Sequence, residues 1–310
     1  MPIFGDENLL IDLGGGILSS RDGIAFKGWQ FVANSFPILS ESEISDFCSK
    51  MASNQGENVE AGSGSVVVSG SHLQLPEILF GNSFMKVWRL EGHFQLRFDA
   101  LGTLRDWVAS HVRDEAQIIK VPEAEIWSTH TADAGFKHEE YDWTFGNRYC
   151  GSLEQFIGEW GSQEDGEKVD NEGLISYPQW ISTAEGGIQW EMLQTRDPIL
   201  FYDEVVLFED YLHDHGYVQS SAKLRVMPKC WFLLLRFWLR VDGILIKVWD
   251  VRYFHCFETS EIWREKKYAE TSFERLAETG LPLDIQSYQD PNVFYRHLEV
   301  KDISNERLEI

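Results

Sequence analysis

The string with the most evident chemical potential is Glu209-Asp210-Tyr211-Leu212-His213-Asp214-His215-Gly216. Alternate residues of a strand point to one side, so His213 and His215 would project together, and imidazoles beside carboxylates suit zinc. One expectation is therefore a metal-dependent hydrolase built on Asp210, His213 and His215. The competing reading is a turn, because Asp214, His215 and Gly216 favour turns and tolerate left-handed backbone.

His138, Glu139 and Glu140, ahead of Tyr141-Asp142-Trp143-Thr144-Phe145, form a second acid and base cluster. No nucleophile stands in a recognisable context near it, and the chain has no Gly-x-Ser-x-Gly, phosphate loop or Gly-x-Gly-x-x-Gly. A loop with an aromatic plug is the simpler account. The third group is Asp250 and Arg252, two apart on an expected strand, which can pair with each other for about 0–1 kcal/mol if exposed. If Val248 and Phe237 floor a groove and Arg252 stands at its end, the guanidinium could instead take the carboxylate of an apolar partner tail.

The elements that must position these groups can be read from spacing. Between Trp231 and Tyr253, Asp242-Gly243 signals a two-residue type I′ hairpin. That turn pairs Val241 with Ile244, Leu239 with Ile246, Phe237 with Val248, Leu235 with Asp250 and Leu233 with Arg252. The other face then sets Trp238 against Lys247 and Arg236 against Trp249 as cation–π pairs. A further hairpin is expected from Phe84–Leu90 and His93–Phe98, turning at Glu91-Gly92. Strands are expected over Gly23–Val32, Val121–Ser128, Ile188–Leu193, Glu204–Leu212 and Ala222–Met227. Ser40 as N-cap with Glu43 three residues on opens a helix ending near Met51. Asp99 caps another, with Leu101, Leu104, Trp107 and Val108 at helical spacing. Short helices are expected over Thr271–Thr279 and Pro291–Leu298.

Sequential hairpins without long crossover helices predict a mainly β (α+β) fold, with antiparallel sheets packed as a sandwich and a few peripheral short helices. Residues 1–20 are Gly-rich and read as a flexible tail, and residues 21–310 as a single domain. The polar stretches near 52–70 and 161–173 read as disordered insertions.

Composition narrows the partners. Lys and Arg total 27 and Asp and Glu 50, a formal charge of −23, which repels phosphate backbones and anionic lipid. Nucleic acid and membrane are therefore set aside; the charge either keeps the surface soluble or steers the chain to a basic partner. Cys48, Cys150, Cys230 and Cys256 form no CxxC pair, and reduced thiols are expected. The N-terminus lacks the basic region of a signal peptide, and Trp231–Ile246 is interrupted by Arg236, Arg240 and Asp242. A place in cytosol or nucleus is expected, with no cofactor.

The stretch Asp197-Pro198-Ile199-Leu200-Phe201-Tyr202-Asp203-Glu204-Val205-Val206-Leu207-Phe208-Glu209-Asp210 resembles the TIPRL family, regulators in the TOR signalling pathway. The resemblance continues through Leu224-Arg225-Val226-Met227-Pro228 and Trp231–Gly243. Supporting blocks are Leu75-Pro76-Glu77-Ile78-Leu79-Phe80-Gly81, Phe98-Asp99-Ala100 and Tyr141–Phe145. The resemblance implies a protein that catalyses nothing itself and binds the catalytic subunits of type 2A serine/threonine phosphatases. It implies further that the phosphatase C-terminal tail enters a cleft near the helix after Asp99 and the Val248–Arg252 strand. Partner-binding residues are accordingly expected among Asp99, Tyr141, Asp142, Trp143, Arg225, Met227, Val248, Asp250 and Arg252. Two departures bear on the site: Gly102 stands where family members commonly carry an acid, and Val248-Trp249 differs from some relatives.

Overall fold

In a computed structural model of the 310-residue chain, residues 11–310 are described except 15, 21, 54–58, 63–64, 69–70, 90–93, 113–118, 122–140, 144–146, 156–178, 282–287 and 289. Strands β1 (Ile11–Gly14), β2 (Ile17–Ser20), β3 (Gly23–Phe26) and β4 (Trp29–Asn34) run as consecutive hairpins into helix α1 (Glu41–Ala52). The Glu43 carboxylate accepts the Ser40 backbone N–H at 2.9 Å, the return half of a capping box. Three short strands, β5 (Val59–Ala61), β6 (Ser65–Val68) and β7 (Ser71–Gln74), form a small sheet beside α1. Next come β8 (Ile78–Leu79), β9 (Phe84–Arg89), β10 (Phe94–Asp99) and helix α2 (Ala100–Val112). The paired strands β11 (Ile119–Val121) and β12 (Tyr141–Trp143) precede β13 (Ser152–Gln155), β14 (Ile181–Thr183) and helix α3 (Trp190–Leu193).

Five long strands carry the alternating apolar pattern that sheets require. These are β15 (Phe201–Asp210), β16 (Gly216–Val226), β17 (Cys230–Val241), β18 (Leu245–Cys256) and β19 (Glu261–Ser272). Helices α4 (Phe273–Glu278) and α5 (Pro291–Phe294), a 3-10 turn at Tyr295–His297 and strand β20 (Glu299–Glu309) complete the chain.

Two antiparallel sheets, β1-β2-β3-β4-β9-β10-β13 and β14-β20-β19-β18-β17-β16-β15-β8, share one core. Trp29 and Phe31 of the first meet Trp231 of the second at ring separations of 5.4 and 6.1 Å, and Phe98 meets Tyr253 at 5.4 Å. The fold is thus mainly β with peripheral helices, as its patterning predicts. No helix among the described residues is long and apolar enough to cross a membrane.

Five local expectations are corrected. Ile11–Gly14 and Ile17–Ser20 are not a tail but the edge hairpin β1-β2, and Val59 and Val66 of the polar stretch are buried on strands, as is Leu73 just beyond it. Within the segment 188–193, Trp190–Leu193 forms the short helix α3 in place of a strand. The register of β17 against β18 is one residue away from the expected one: Arg236 faces Asp250, Phe237 faces Trp249 and Trp238 faces Val248. The turn is the cause. A two-residue type I′ turn needs positive φ at both central residues, yet only Gly243 has it (φ 72). Asp242 still belongs to the preceding ladder, its N–H donated to the His215 carbonyl at 2.9 Å, so the loop takes three residues and pairing resumes at Leu245. One residue of slip sends every side chain to the opposite face. The two-residue turn with both residues left-handed occurs instead at Lys27-Gly28 (φ 49 and 79), which divides the expected Gly23–Val32 strand into a hairpin. The acidic stretch 161–173 and the Glu91-Gly92 turn lie outside the described residues.

Candidate functional site

With the observed register, the outer face of the second sheet can be laid out row by row. Lys223, Leu234, Arg252 and Glu265 form one row across β16 to β19, and Ser221, Arg236, Asp250 and Lys267 form the next. Apolar clusters cover this face on both sides of those rows. Trp238, Ile246 and Val248 pack under Phe273, Leu276, Tyr288 and Phe294, while Met227, Cys230, Phe254 and Cys256 pack under Met192 and Leu193. Between the two caps lies a charged strip.

Asp250 is its centre, fully buried and saturated with partners. Arg236 grips it bidentately at 2.7 and 2.9 Å, Arg252 donates to it at 2.9 Å, and the Tyr295 hydroxyl donates at 2.8 Å. Arg252 also pairs with Glu265 and with the Tyr295 hydroxyl. Burial alone would raise the Asp250 carboxyl, but the hydrogen bonds and charge of Arg236, joined by Arg252, hold it below the usual carboxylate range. Burial, with Asp250 alongside, pushes the Tyr295 phenol up to about 12. The Arg252 guanidinium lies near two rings, Trp190 at 5.6 Å and Tyr295 at 5.8 Å. Trp190 leans on Phe232, one row away on one side, and Tyr295 stacks on Arg236 and Lys267, one row away on the other. Leu234, partly exposed, stands in the same row between Lys223 and Arg252.

This corrects the expected groove. Phe237 is in the inter-sheet core at 5% exposure and Val248 is on the outer face at 1%, so they cannot share a floor. Arg252 is neutralised by Asp250 and Glu265 instead of standing free at a groove end, and Trp238 and Arg236 contact Val248 and Asp250 instead of Lys247 and Trp249. The apolar floor falls to Leu234. Unpaired positive charge is supplied by Arg225, which donates to the Leu193 carbonyl at 3.2 Å, and by Lys267 over the Tyr295 ring at 4.9 Å; among the described residues neither meets a carboxylate. In a chain of net charge −23, this strip is a local cationic surface.

Of the expected partner-binding residues, the strip brings together Arg225, Asp250 and Arg252. Met227 and Val248 lie beneath the caps on either side of it. Asp99 stands on the other sheet, where its Oδ1 accepts the Gly102 N–H at 2.7 Å and caps α2. Tyr141, Asp142 and Trp143 are on β12, and their side chains lie outside the described residues. Leu234, Lys223, Lys267, Trp190 and Tyr295 were not singled out from sequence; Tyr295 and Trp190 reach the strip from 43 to 62 residues away in the chain.

Gly102 has a steric reason. A Cβ there would come within 2.6 Å of the Tyr149 hydroxyl and 2.8 Å of its ring, and that ring is held by hydrogen bonds to the Arg97 carbonyl (3.0 Å) and Ser152 (3.1 Å). Gly102→Ala, which would gain about 1 kcal/mol in an open helix, is expected to lose about 1–3 kcal/mol here through overpacking. Urea midpoints of the two proteins check this, and a stabilised variant contradicts it.

The Asp210 string is a turn. Leu212–Asp214 forms one 3-10 turn with Leu212 and Asp214 left-handed (φ 53 and 66). Both Asp210 oxygens are occupied, Oδ1 by the Leu212 N–H at 2.6 Å and Oδ2 by the Glu77 N–H at 3.0 Å. The His213 side chain lies outside the described residues, and among the described residues no three His, Cys, Asp or Glu side chains cluster around a common ion position. Asp210→Ala is expected to cost about 1–3 kcal/mol by orphaning these donors. A chelator is expected to leave the wild-type unfolding midpoint unchanged; a midpoint that falls on chelation would restore the metal reading.

The fold and the strip define an antiparallel β-sandwich that presents its charged groups on a sheet face, flanked by two aromatic rings. The TIP41-like family model matches residues 78–277, and the chain belongs to that family. It is 34% identical over 239 residues to a TIP41-like protein of Arabidopsis thaliana, covering 76% of this chain and 79% of that one. To the TIP41-like protein of Homo sapiens it is 29% identical over 297 residues, 94% of this chain and 91% of the relative. The type 2A phosphatase activator TIP41 of Saccharomyces cerevisiae is 26% identical over 273 residues, 83% of this chain and 65% of the yeast protein.

Proposed function

We propose that the chain is a non-catalytic regulator that binds the catalytic subunit of type 2A serine/threonine phosphatases in the cytosol or nucleus and adjusts their activity or assembly in TOR signalling. Family membership and the name of the yeast relative, a type 2A phosphatase activator, support the phosphatase as partner. The observation that carries the binding mode is the Lys223-Leu234-Arg252 row between Trp190 and Tyr295, an apolar patch bordered by cations on an acidic protein. Such a surface suits an extended tail that ends in an apolar residue and a carboxylate. Arg225 is the group that would meet the carboxylate, because Arg252 is neutralised by Asp250 and Glu265 and Lys223 is paired with Glu204 at 2.9 Å.

A pull-down with purified type 2A catalytic subunit, whole and lacking its last residues, tests the reading. Retention of the whole subunit and weak or no retention of the shortened one is the expected result. Failure to retain either rejects it.

A further inference from the structure

Cys230 and Cys256 are direct partners in the β17–β18 ladder, which runs without a bulge from end to end. Both are free thiols, both are buried, and both face the outer side with Met227 and Phe254. The ladder fixes which kind of pair they make. The next residues along, Lys229 and Phe257, face each other, and the Phe257 N–H is donated to the Lys229 carbonyl at 2.9 Å, which marks them as a hydrogen-bonded pair. Pairs alternate in an antiparallel ladder, so Cys230 and Cys256 are a non-hydrogen-bonded pair, with Cα atoms about 4.5 Å apart and side chains at their closest approach. That separation lies within the range a disulfide spans, at its short end.

We propose that Cys230 and Cys256 form a reversible cross-strand disulfide when the chain meets a disulfide oxidant of the glutathione type. Cys256 closes its strand beside the exposed turn Glu258–Ser260, so it is the thiol an oxidant reaches first. Its thiolate attacks one sulfur of glutathione disulfide, forming a mixed disulfide and releasing one reduced glutathione. The Cys230 sulfur then attacks the Cys256 sulfur, the S–S bond closes across the strands, and the second glutathione leaves. Two thiols are oxidised, one glutathione disulfide is reduced, and the two protons end on the two glutathione thiols. A disulfide at the end of the ladder, beside an exposed turn, is within reach of the reductants that reopen it. Burial pushes the Cys230 thiol up to about 11, so little of it is thiolate at neutral pH and its step relies on the proximity that the ladder fixes.

The site is separate from the proposed tail strip and its test does not depend on that reading. The full chain is reduced, equilibrated in a series of reduced-to-oxidised glutathione ratios, blocked with N-ethylmaleimide and digested, and the peptides are weighed. The expected result is a crosslinked pair containing Cys230 and Cys256, lighter by two hydrogens than the two thiol peptides together and cleaved back to both thiols by dithiothreitol, with Cys48 and Cys150 alkylated throughout. Cys230→Ser is expected to trap a glutathione adduct on Cys256 with the far-ultraviolet dichroism unchanged. The proposal is overturned if all four thiols remain alkylated at every ratio, if only single glutathione adducts form on the wild-type chain, or if the crosslink joins Cys48 or Cys150.

Discussion

Asp250→Ala is expected to remove about 3–5 kcal/mol of folding stability, the usual scale when one partner of a buried ion pair is deleted and the other charge is left uncompensated. Arg236 is only 8% exposed and holds Asp250 with both nitrogens of its fork, and Arg252 and Tyr295 complete the shell. Removing the carboxylate leaves two guanidinium groups adjacent in low dielectric. Asp250→Asn keeps the shape and removes only the charge, so it separates the electrostatic part from the cavity. Its pH dependence has a definite sign. The folded-state pKa of Asp250 is depressed, so its contribution is complete above the ordinary carboxylate value near 3.8 and is lost as pH falls from there through the depressed value. The difference in unfolding free energy between wild type and Asp250→Asn should therefore be largest near neutral pH and shrink in acid. Chemical unfolding at several pH values measures it; a difference that grows in acid would contradict the assignment.

The second large effect is on binding. Leu234→Asp places a carboxylate on the apolar floor between Lys223 and Arg252, where a tail carboxylate would meet a like charge. Juxtaposed like charges cost several kcal/mol at an interface, so affinity for the catalytic subunit is expected to fall by about 2 kcal/mol or more, roughly 30-fold. Because Leu234 is only partly buried on the outer face, outside the inter-sheet core, the unfolding midpoint should move little. Arg252→Ala is the less informative variant. It would strip a cation from Asp250 and Glu265, so any loss of binding would be mixed with a loss of fold. Lys267→Glu, at a residue whose described contact is the Tyr295 ring, should weaken binding less than Leu234→Asp.

How far the site could be read from sequence follows from which signals are local. The capping box at Ser40 and Glu43, the Asp99 cap and the existence of the long Asp242-Gly243 hairpin rest on residues within a few positions of one another, and the structure contains them all. The register of that hairpin does not. Whether Asp242 adopts positive φ depends on its bond to His215, a contact made by a different hairpin, and this one backbone choice decides which β18 residues, from Leu245 to Arg252, share a face with the apolar side of β17. Reading the turn as two residues put Phe237 and Val248 together and set Arg252 beside them; the observed three-residue loop puts Arg236 opposite Asp250. The strip's walls were equally out of reach, because Tyr295 and Trp190 arrive from a 3-10 turn and a four-residue helix whose positions depend on packing over the finished sheet. The segment around Val66 misled for another reason: Gly, Ser and Asn surround its strands, and composition alone does not show that Val59, Val66 and Leu73 are buried beside α1.

The most direct test of the strip is calorimetric titration of a peptide carrying the last residues of the type 2A catalytic subunit, with a free or an amidated C-terminus. Saturable binding of the free-acid peptide, at least tenfold weaker binding of the amide, and loss of that difference in Leu234→Asp are the results expected if the strip holds the tail by its carboxylate. Equal affinity for the two peptides, or no saturable binding of either, would contradict it.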